Sequence, residues 1–324
     1  MAGYPTEARE PVFKGQRSFD AVQAPGQQTM GGYYHPEAFR SPTMQEGMLV
    51  KQTMRGCLRN CLGCQAKQEY HVSGMDWQFV ASTTAFREGA MGLPNEMYIL
   101  EESSCLLRTC WRDGRPLEFR VSGGAAEGGP PLFKYTKPCG LPLYCSIPIP
   151  DTNGSGDGDS GGGGGGEITI PCCCFLPTLT LEGPNGEAVN KSEYYCDVFL
   201  CVPKFEYKEP DQKGELKSVY FVAPDSCCMG CCIQPKGCCT KTCYNVPFYF
   251  RDPVTREKIK PNANGREPQI AKLWAGMKKE CCSTADNFAT FWPDGIDDHR
   301  KAGLLGLTLL VDFTVFERQG EPGA

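Results

Sequence analysis

Two hydrophobic patterns share this chain. Over most of its length apolar residues come in short alternating runs. Leu117, Phe119 and Val121 are spaced by Glu118 and Arg120, and Leu179 and Leu181 by Thr180. A period of two is the mark of a half-buried strand. Residues 68–72, 97–100, 217–222 and 246–250 are further short β-rich runs, and Asn185-Gly186 is a strong hairpin signal. The second pattern is confined to 302–316. Here Leu304, Leu305, Leu307, Leu309, Leu310, Val311, Phe313, Val315 and Phe316 point in every direction around a helix. A helix that is apolar all round is buried, in protein or in lipid.

Length and charge favour protein. The run of 15 residues would be about 22 Å long, against a hydrocarbon core of about 30 Å. Asp312 lies inside it and would cost about 2.5–3.5 kcal/mol near a bilayer centre. Asp297 and Asp298 precede the run, where carboxylates suit a helix N-terminus. The expectation is a mainly β protein, a barrel or sandwich, with this helix inside it.

Two stretches break the pattern. Residues 1–48 are rich in Pro, Gly, Gln and small polar residues without a hydrophobic period, and read as a disordered arm that could hold protein partners. Residues 151–166 run from Asp-Thr-Asn-Gly-Ser-Gly into six consecutive glycines, a flexible loop insertion. The folded domain is expected over 49–318, with a tail at 319–324.

Composition narrows the class. In 324 residues the net charge is −5, which argues against general nucleic-acid binding. No N-terminal apolar segment suggests secretion, so a cytosolic setting is expected. Twenty-one cysteines are then anomalous, because thiols in a reducing compartment point to metal, acylation or burial rather than disulfides.

Several spacings invite chemistry. Cys57-x3-Cys61-x2-Cys64 has the spacing of a radical iron–sulfur motif, but the surrounding runs lack the alternating βα pattern of such barrels. Cys228-x2-Cys231 and Cys239-x3-Cys243 supply four thiols, the number a structural zinc takes; the separation is short and zinc is the weaker metal expectation. Residues 158–162 spell Gly-Asp-Ser-Gly-Gly in a low-complexity run. A nucleophilic Ser needs an oriented base, and His35, His71 and His299 offer none. No catalytic residue is expected. Cys172, Cys173 and Cys174 are adjacent, poorly arranged for one metal, and each able to carry an acyl chain; two or more chains anchor a protein stably.

The order of motifs resembles the phospholipid scramblase family. Lys272-Leu273-Trp274-Ala275-Gly276, then Thr284-Ala285-Asp286-Asn287-Phe288, then the apolar run, is similar to the family's C-terminal part. Residues 62–70 resemble its opening strands. Cys105, Cys110 and the Arg115–Val121 segment, the Cys172–Cys174 cluster before residues 178–181, and Cys227, Cys228, Cys231 and Cys232 before 246–250 resemble its cysteine-rich segments. The resemblance implies a closed tubby-like β-barrel around a buried C-terminal helix. It also implies bidirectional, ATP-independent phospholipid movement between leaflets and palmitoylation at Cys172, Cys173 and Cys174. The phospholipid membrane would be the partner, at the cytoplasmic face of the plasma membrane with a cytosolic pool. An acyl-anchored lipid-binding or scaffold protein without transport is the alternative. The family's calcium segment is matched at Asp286 and Asn287, while Thr284 and Gly295 stand where acidic residues are expected. Asp294, Asp297 and Asp298 could serve instead. Calcium binding is therefore expected to be weak, since the ion wants six to eight oxygens and several carboxylates.

Overall fold

A helix with no polar face needs an enclosure, and in this computed structural model twelve strands supply it. The structure describes residues 33–53, 67–75, 92–110, 114–140, 144–148, 167–171, 176–196, 202–227, 232–233, 246–273 and 286–316. Its strands are β1 (Gly47–Gln52), β2 (Glu69–Met75), β3 (Met97–Glu102), β4 (Leu117–Gly123), β5 (Pro131–Lys137), β6 (Tyr144–Pro148), β7 (Glu167–Pro171), β8 (Thr178–Glu182), β9 (Ala188–Tyr194), β10 (Phe205–Pro210), β11 (Leu216–Ala223), β12 (Ser226–Cys227), β13 (Cys232–Ile233), β14 (Val246–Arg251), β15 (Gln269–Leu273) and β16 (Asn287–Phe291). Helix α1 is Cys105–Cys110 and α2 is Asp298–Val311, continued by a π-helical turn Asp312–Phe316.

The barrel closes in the order β1-β16-β15-β14-β11-β10-β9-β8-β5-β4-β3-β2. It is an antiparallel meander with two excursions, the hairpins β6–β7 and β12–β13, and β1 sealing the ring against β16 and β2. An eight-stranded barrel is just wide enough to be filled by its own side chains; twelve strands leave room for a helix. The chain enters that space from the end where β16 stops. At this entry end Arg300 of α2 pairs with Glu209 of β10. At the other, exit end Phe316 packs on Phe248 and Phe288 near the starts of β14 and β16.

Burial follows the sequence pattern. Leu117, Phe119, Val121, Leu179 and Leu181 face the core. Every residue of α2 from Lys301 to Val311 is buried, each leucine contributing about 1.5–3 kcal/mol relative to exposure. Polar groups inside are satisfied locally: Thr308 Oγ1 donates to Leu304 O at 2.8 Å and Thr314 Oγ1 to Leu310 O at 2.7 Å. Strands β1 and β16 are buried on both faces. Val50 and Phe288 face the helix, while Leu49, Met75, Ala289 and Phe291 form a small second core on the outside.

Two sequence expectations need correction. The packed chain starts before residue 49: Pro36–Arg40 and Pro42–Met44 form 3-10 turns, and Phe39 and Met44 are fully buried. Apolar side chains spaced irregularly among Pro and Gly carry no periodic signal, yet they cap the entry end, where Trp292 Nε1 donates to Met44 O at 3.1 Å. The Asp-Asn-Phe segment is also no loop from Asn287 onward; it is the fully buried strand β16. The Gly-rich insertion at 151–166 and the tail at 319–324 lie outside the described residues.

Glycines on α2 set how close the wall approaches. A Cβ at Gly303 would lie 2.3 Å from the Tyr207 hydroxyl oxygen, and one at Gly306 2.7 Å from a Tyr135 ring carbon. Tyr135 uses that proximity to donate to Ala302 O at 2.7 Å. Overpacking of this kind costs about 1–3 kcal/mol. Gly306→Val is expected to lower the thermal midpoint by several degrees with unchanged far-ultraviolet dichroism at 20 °C; an unchanged midpoint in scanning calorimetry would refute this packing.

Candidate functional site

The barrel has an apolar middle and polar ends. At the exit end the π-helical turn presents Asp312, 2 % exposed, to the Tyr70 hydroxyl, which donates to Oδ2 at 2.7 Å. Beside it, Arg115 reaches in from just before β4 and makes two hydrogen bonds to Glu101 of β3, at 2.9 and 3.1 Å. Both side chains are essentially unexposed. Lys137, the last residue of β5, donates to Arg115 O at 2.9 Å. The Arg115 guanidinium and the Lys137 ammonium each stand 4.9 Å from the Phe313 ring centroid. On the other side Lys272 pairs with Asp286 at 2.8 Å and lies 4.6 Å from the Phe316 ring centroid. Cations over ring faces gain most when desolvated, as here.

The Glu101 carboxyl shows which effect wins. Burial alone would push it up. The hydrogen bonds and charge of Arg115 oppose this, helped by the Ser103 hydroxyl and the Gln68 N–H, and the net result is a carboxyl held below its ordinary value. Such a group stabilises the fold above its unfolded-state pKa, and the contribution is lost as pH falls through the lower folded-state value.

The entry end is tied differently. Asp297 caps α2, accepting from Arg300 N at 2.8 Å. Arg300 clasps Glu209 through three contacts of 3.0–3.2 Å. Arg40 pairs with Asp298 at 2.9 Å, and the Tyr34 hydroxyl lies 2.6 Å from His299 Nδ1. These contacts hold the residues 33–46 over the helix N-terminus.

The residues flagged for calcium do not come together. Asp286 and Asn287 are at the exit end, where β16 starts, and Asp286 is occupied by Lys272. Asp294 lies in the exposed turn with Gly295, whose φ is 68°, and Asp297 and Asp298 are capping and ion-paired at the entry end. Strand β16 separates the two groups by roughly 13 Å at about 3.3 Å per residue, while calcium–oxygen distances are about 2.3–2.6 Å. Among the described residues no cluster of three or more His, Cys, Asp or Glu is placed to hold a metal ion. Thr284, the thiols Cys57, Cys61 and Cys64, the zinc candidates Cys228, Cys231, Cys239 and Cys243, residues 158–162, and Cys172, Cys173 and Cys174 lie outside the described residues. Of the described cysteines, Cys105 and Cys196 are disulfide-bonded, and Cys139 is a free, exposed thiol.

Sequence reasoning missed the buried Tyr70, Glu101, Arg115 and Lys137 and the half-buried Lys272. These come from β2, β3, β5, β15 and the segment before β4, so no local spacing joins them. The one usable signal was Asp312 itself, a charge in an apolar run that demands a partner. Removing one member of a buried pair costs about 3–5 kcal/mol. Glu101→Gln is expected to lose stability of that order in urea unfolding at pH 7 and to flatten the acid limb of the stability profile. Equal losses at pH 7 and at the acid end of the transition would show that Glu101 is not the titrating group.

Comparison with known proteins agrees with this architecture. A family model described as Scramblase matches residues 218–318, from β11 through α2. Phospholipid scramblase 1 of Mus musculus is 25% identical over 224 residues, covering 69% of this chain and 52% of that protein. Phospholipid scramblase 1 of Rattus norvegicus is equally similar, with 50% of its length covered. Phospholipid scramblase 2 of Bos taurus is 23% identical over 221 residues, 68% of this chain and 57% of that protein. The chain thus spans about half the length of the curated relatives it matches. No solved structure matches. The closed barrel and enclosed C-terminal helix thus belong to a chain that matches the scramblase family model over residues 218–318 and is similar to phospholipid scramblases across 69% of its length.

Proposed function

We propose that this protein is a membrane-associated, scramblase-like protein that moves phospholipids between leaflets in both directions without ATP. The observation that carries the reading is kinship with phospholipid scramblases across 69% of the chain. Lipid scrambling needs no covalent chemistry, only a route that lowers the cost of carrying a polar headgroup through hydrocarbon. No helix among the described residues is long and apolar enough to cross a membrane, so attachment is assigned to acyl chains on Cys172, Cys173 and Cys174. The site of action is the cytoplasmic face of the plasma membrane.

A second reading has an observation of its own. Helix α2 fills the barrel, with Leu304, Leu305, Leu307, Leu309 and Leu310 at most 1 % exposed. The barrel axis therefore offers no polar route for a headgroup, which favours an acyl-anchored lipid-binding or scaffold protein without transport. Under the scramblase reading the route runs along the outside of the barrel.

Reconstitution of the full chain into liposomes carrying a fluorescent headgroup-labelled lipid separates the two. Scrambling is expected to expose the inner-leaflet label to an external quencher, and calcium is expected to act only toward about 10⁻⁴–10⁻³ M. Loss of only the outer-leaflet signal at every calcium level would leave the scaffold reading.

The anchor is tested in cells. Replacing Cys172, Cys173 and Cys174 together by Ala removes up to three acyl chains, each worth about 0.8 kcal/mol per buried CH₂. The variant is expected to move from the membrane to the cytosolic fraction, and unchanged fractionation would refute this attachment.

A further inference from the structure

The outer face of β9 and β10 carries its charges in an order that sheet stability does not favour. Tyr194, Phe205 and Tyr207 belong to the core around α2, so Lys191, Glu193, Glu206 and Lys208 alternate with the inward positions and face outward. The register sets Glu193 opposite Glu206 and Lys191 opposite Lys208. Like charges directly opposite destabilise a sheet, and exchanging Lys191 with Glu193 would remove the conflict. As the chain stands, two ammonium groups lie in one row and two carboxylates in the next, roughly 6.6 Å further along the strands. The rows are linked on the diagonal and along each strand: Lys208 pairs with Glu193, and with Glu206 at 3.3 Å, and Lys191 pairs with Glu193 at 3.0 Å. Burial raises the Glu193 carboxyl, but Lys208 and Lys191 outweigh it and hold the group below its ordinary value. Burial lowers Lys208, but Glu193 and Glu206 outweigh it and hold the group above its ordinary value. Both signs of charge are therefore kept near neutral pH.

The carboxylate row continues into an aromatic corner. Phe221 of β11 stands opposite Glu206, and Tyr195, just past β9, meets it edge-on at 5.4 Å between ring centroids. Ring faces attract a desolvated ammonium, and neighbouring carboxylates add to that attraction. A cation of the chain itself fills the corner. The Arg256 guanidinium carbon lies 3.8 Å from the Phe221 ring centroid and 5.0 Å from that of Tyr195. It fits poorly in two respects. Its Nη1 is buried 3.5 Å from Glu206 Oε1 and makes no hydrogen bond. Its backbone has φ of 63°, a left-handed conformation that side chains other than Asn, Asp and His rarely adopt. Arg256 belongs to a turn outside the barrel strands, closed by Asp252 N donating to Glu257 O at 2.8 Å. The guanidinium can therefore leave the corner without unpairing the barrel.

We propose that this outer face binds the zwitterionic headgroup of a phospholipid, with the phosphate on Lys191 and Lys208 and the ammonium in the corner of Glu193, Glu206, Tyr195 and Phe221, where Arg256 acts as a tethered stand-in. The proposal rests on the scramblase-like reading above and gives its outer route a headgroup station. The row of cations beside the row of carboxylates matches a ligand with one charge of each sign, as in choline and ethanolamine lipids. Such a headgroup trades water for protein at both of its charges, whereas a ligand with a single charge meets one row and leaves the other unanswered. Arg256 competes for the ammonium position, so apparent affinity falls by the fraction of time that the corner is filled.

The test uses the full chain and two soluble probes, phosphocholine and monomeric dihexanoyl phosphatidylcholine, with binding read by titration calorimetry. Both are expected to bind. Arg256→Gly removes the stand-in and relieves the backbone, and is expected to tighten binding about fivefold. Lys191→Gln with Lys208→Gln, and separately Glu206→Gln, are expected to weaken it on the order of tenfold. Lys134→Gln with Glu182→Gln, an ion pair of 2.8 Å between β5 and β8, is expected to leave it within about twofold. No binding by the wild type or by Arg256→Gly, weaker binding by Arg256→Gly, or equal affinity for phosphocholine, choline and glycerol phosphate overturns the two-point site. Binding of phosphocholine without binding of the short-chain lipid overturns the lipid assignment. A chain that binds the lipid with these responses yet scrambles nothing in liposomes supports the site and overturns the transport reading alone. Thermal melts of every variant keep misfolding from being read as lost binding.

Discussion

The structure depends on one constraint: a helix without a polar face has to be hidden. Water excludes it on all sides, its length is short for a bilayer, and it carries a carboxylate at Asp312. A surrounding wall is the remaining solution, and the wall must be a closed one because a sheet covers only one side. Twelve strands, two close-approach glycines and a ring of tyrosines, Tyr70, Tyr135 and Tyr207, then follow from the need to fit a cylinder inside a cylinder. The polar ends follow too. The helix has to stop inside the barrel, and Asp312 can stay there because Tyr70 donates to it, beside the Glu101–Arg115 pair.

Much of this was legible in the residues. The all-round apolarity of 302–316 announced burial, and strict alternation gave away β4 and β8, because their inward positions are Leu, Phe and Val. Strand β9 was invisible for the complementary reason. Its inward residues include Asn190 and Ser192, both buried, so the hydrophobic pattern of a strand is absent although its geometry is present. Strand β16 was hidden by burial on both faces, which erases alternation, and by Asp286-Asn287, which look like ligands in a loop. The ion pair of Asp286 with Lys272 joins residues whose sequence separation carries no pattern. The buried pair of Glu101 and Arg115 shows the same limit at shorter range, since neither residue predicts that its charge faces inward.

Kinship and geometry constrain different things. The relatives speak for membranes and lipid movement. The filled barrel speaks against any route through its centre, which moves attention to the outer surface and to the ends. Under the scramblase reading proposed above, action on lipids would depend on how the protein sits against the leaflet rather than on what passes through the barrel.

The order of elements along the chain has a consequence for how the protein is made. Every barrel strand pairs with a neighbour along the meander, so hairpins can form as the chain lengthens. Yet β1 waits for β16, and the element that fills the interior comes last of all. Until α2 has left the ribosome, the inward faces of twelve strands have nothing to pack on. The nascent chain therefore carries an open, sticky sheet through nearly all of its synthesis, and a chain cut short before Ala302 has a wall with no content. Such a protein commits to its native state in a single late event, and chaperones would meet it as an unfilled shell.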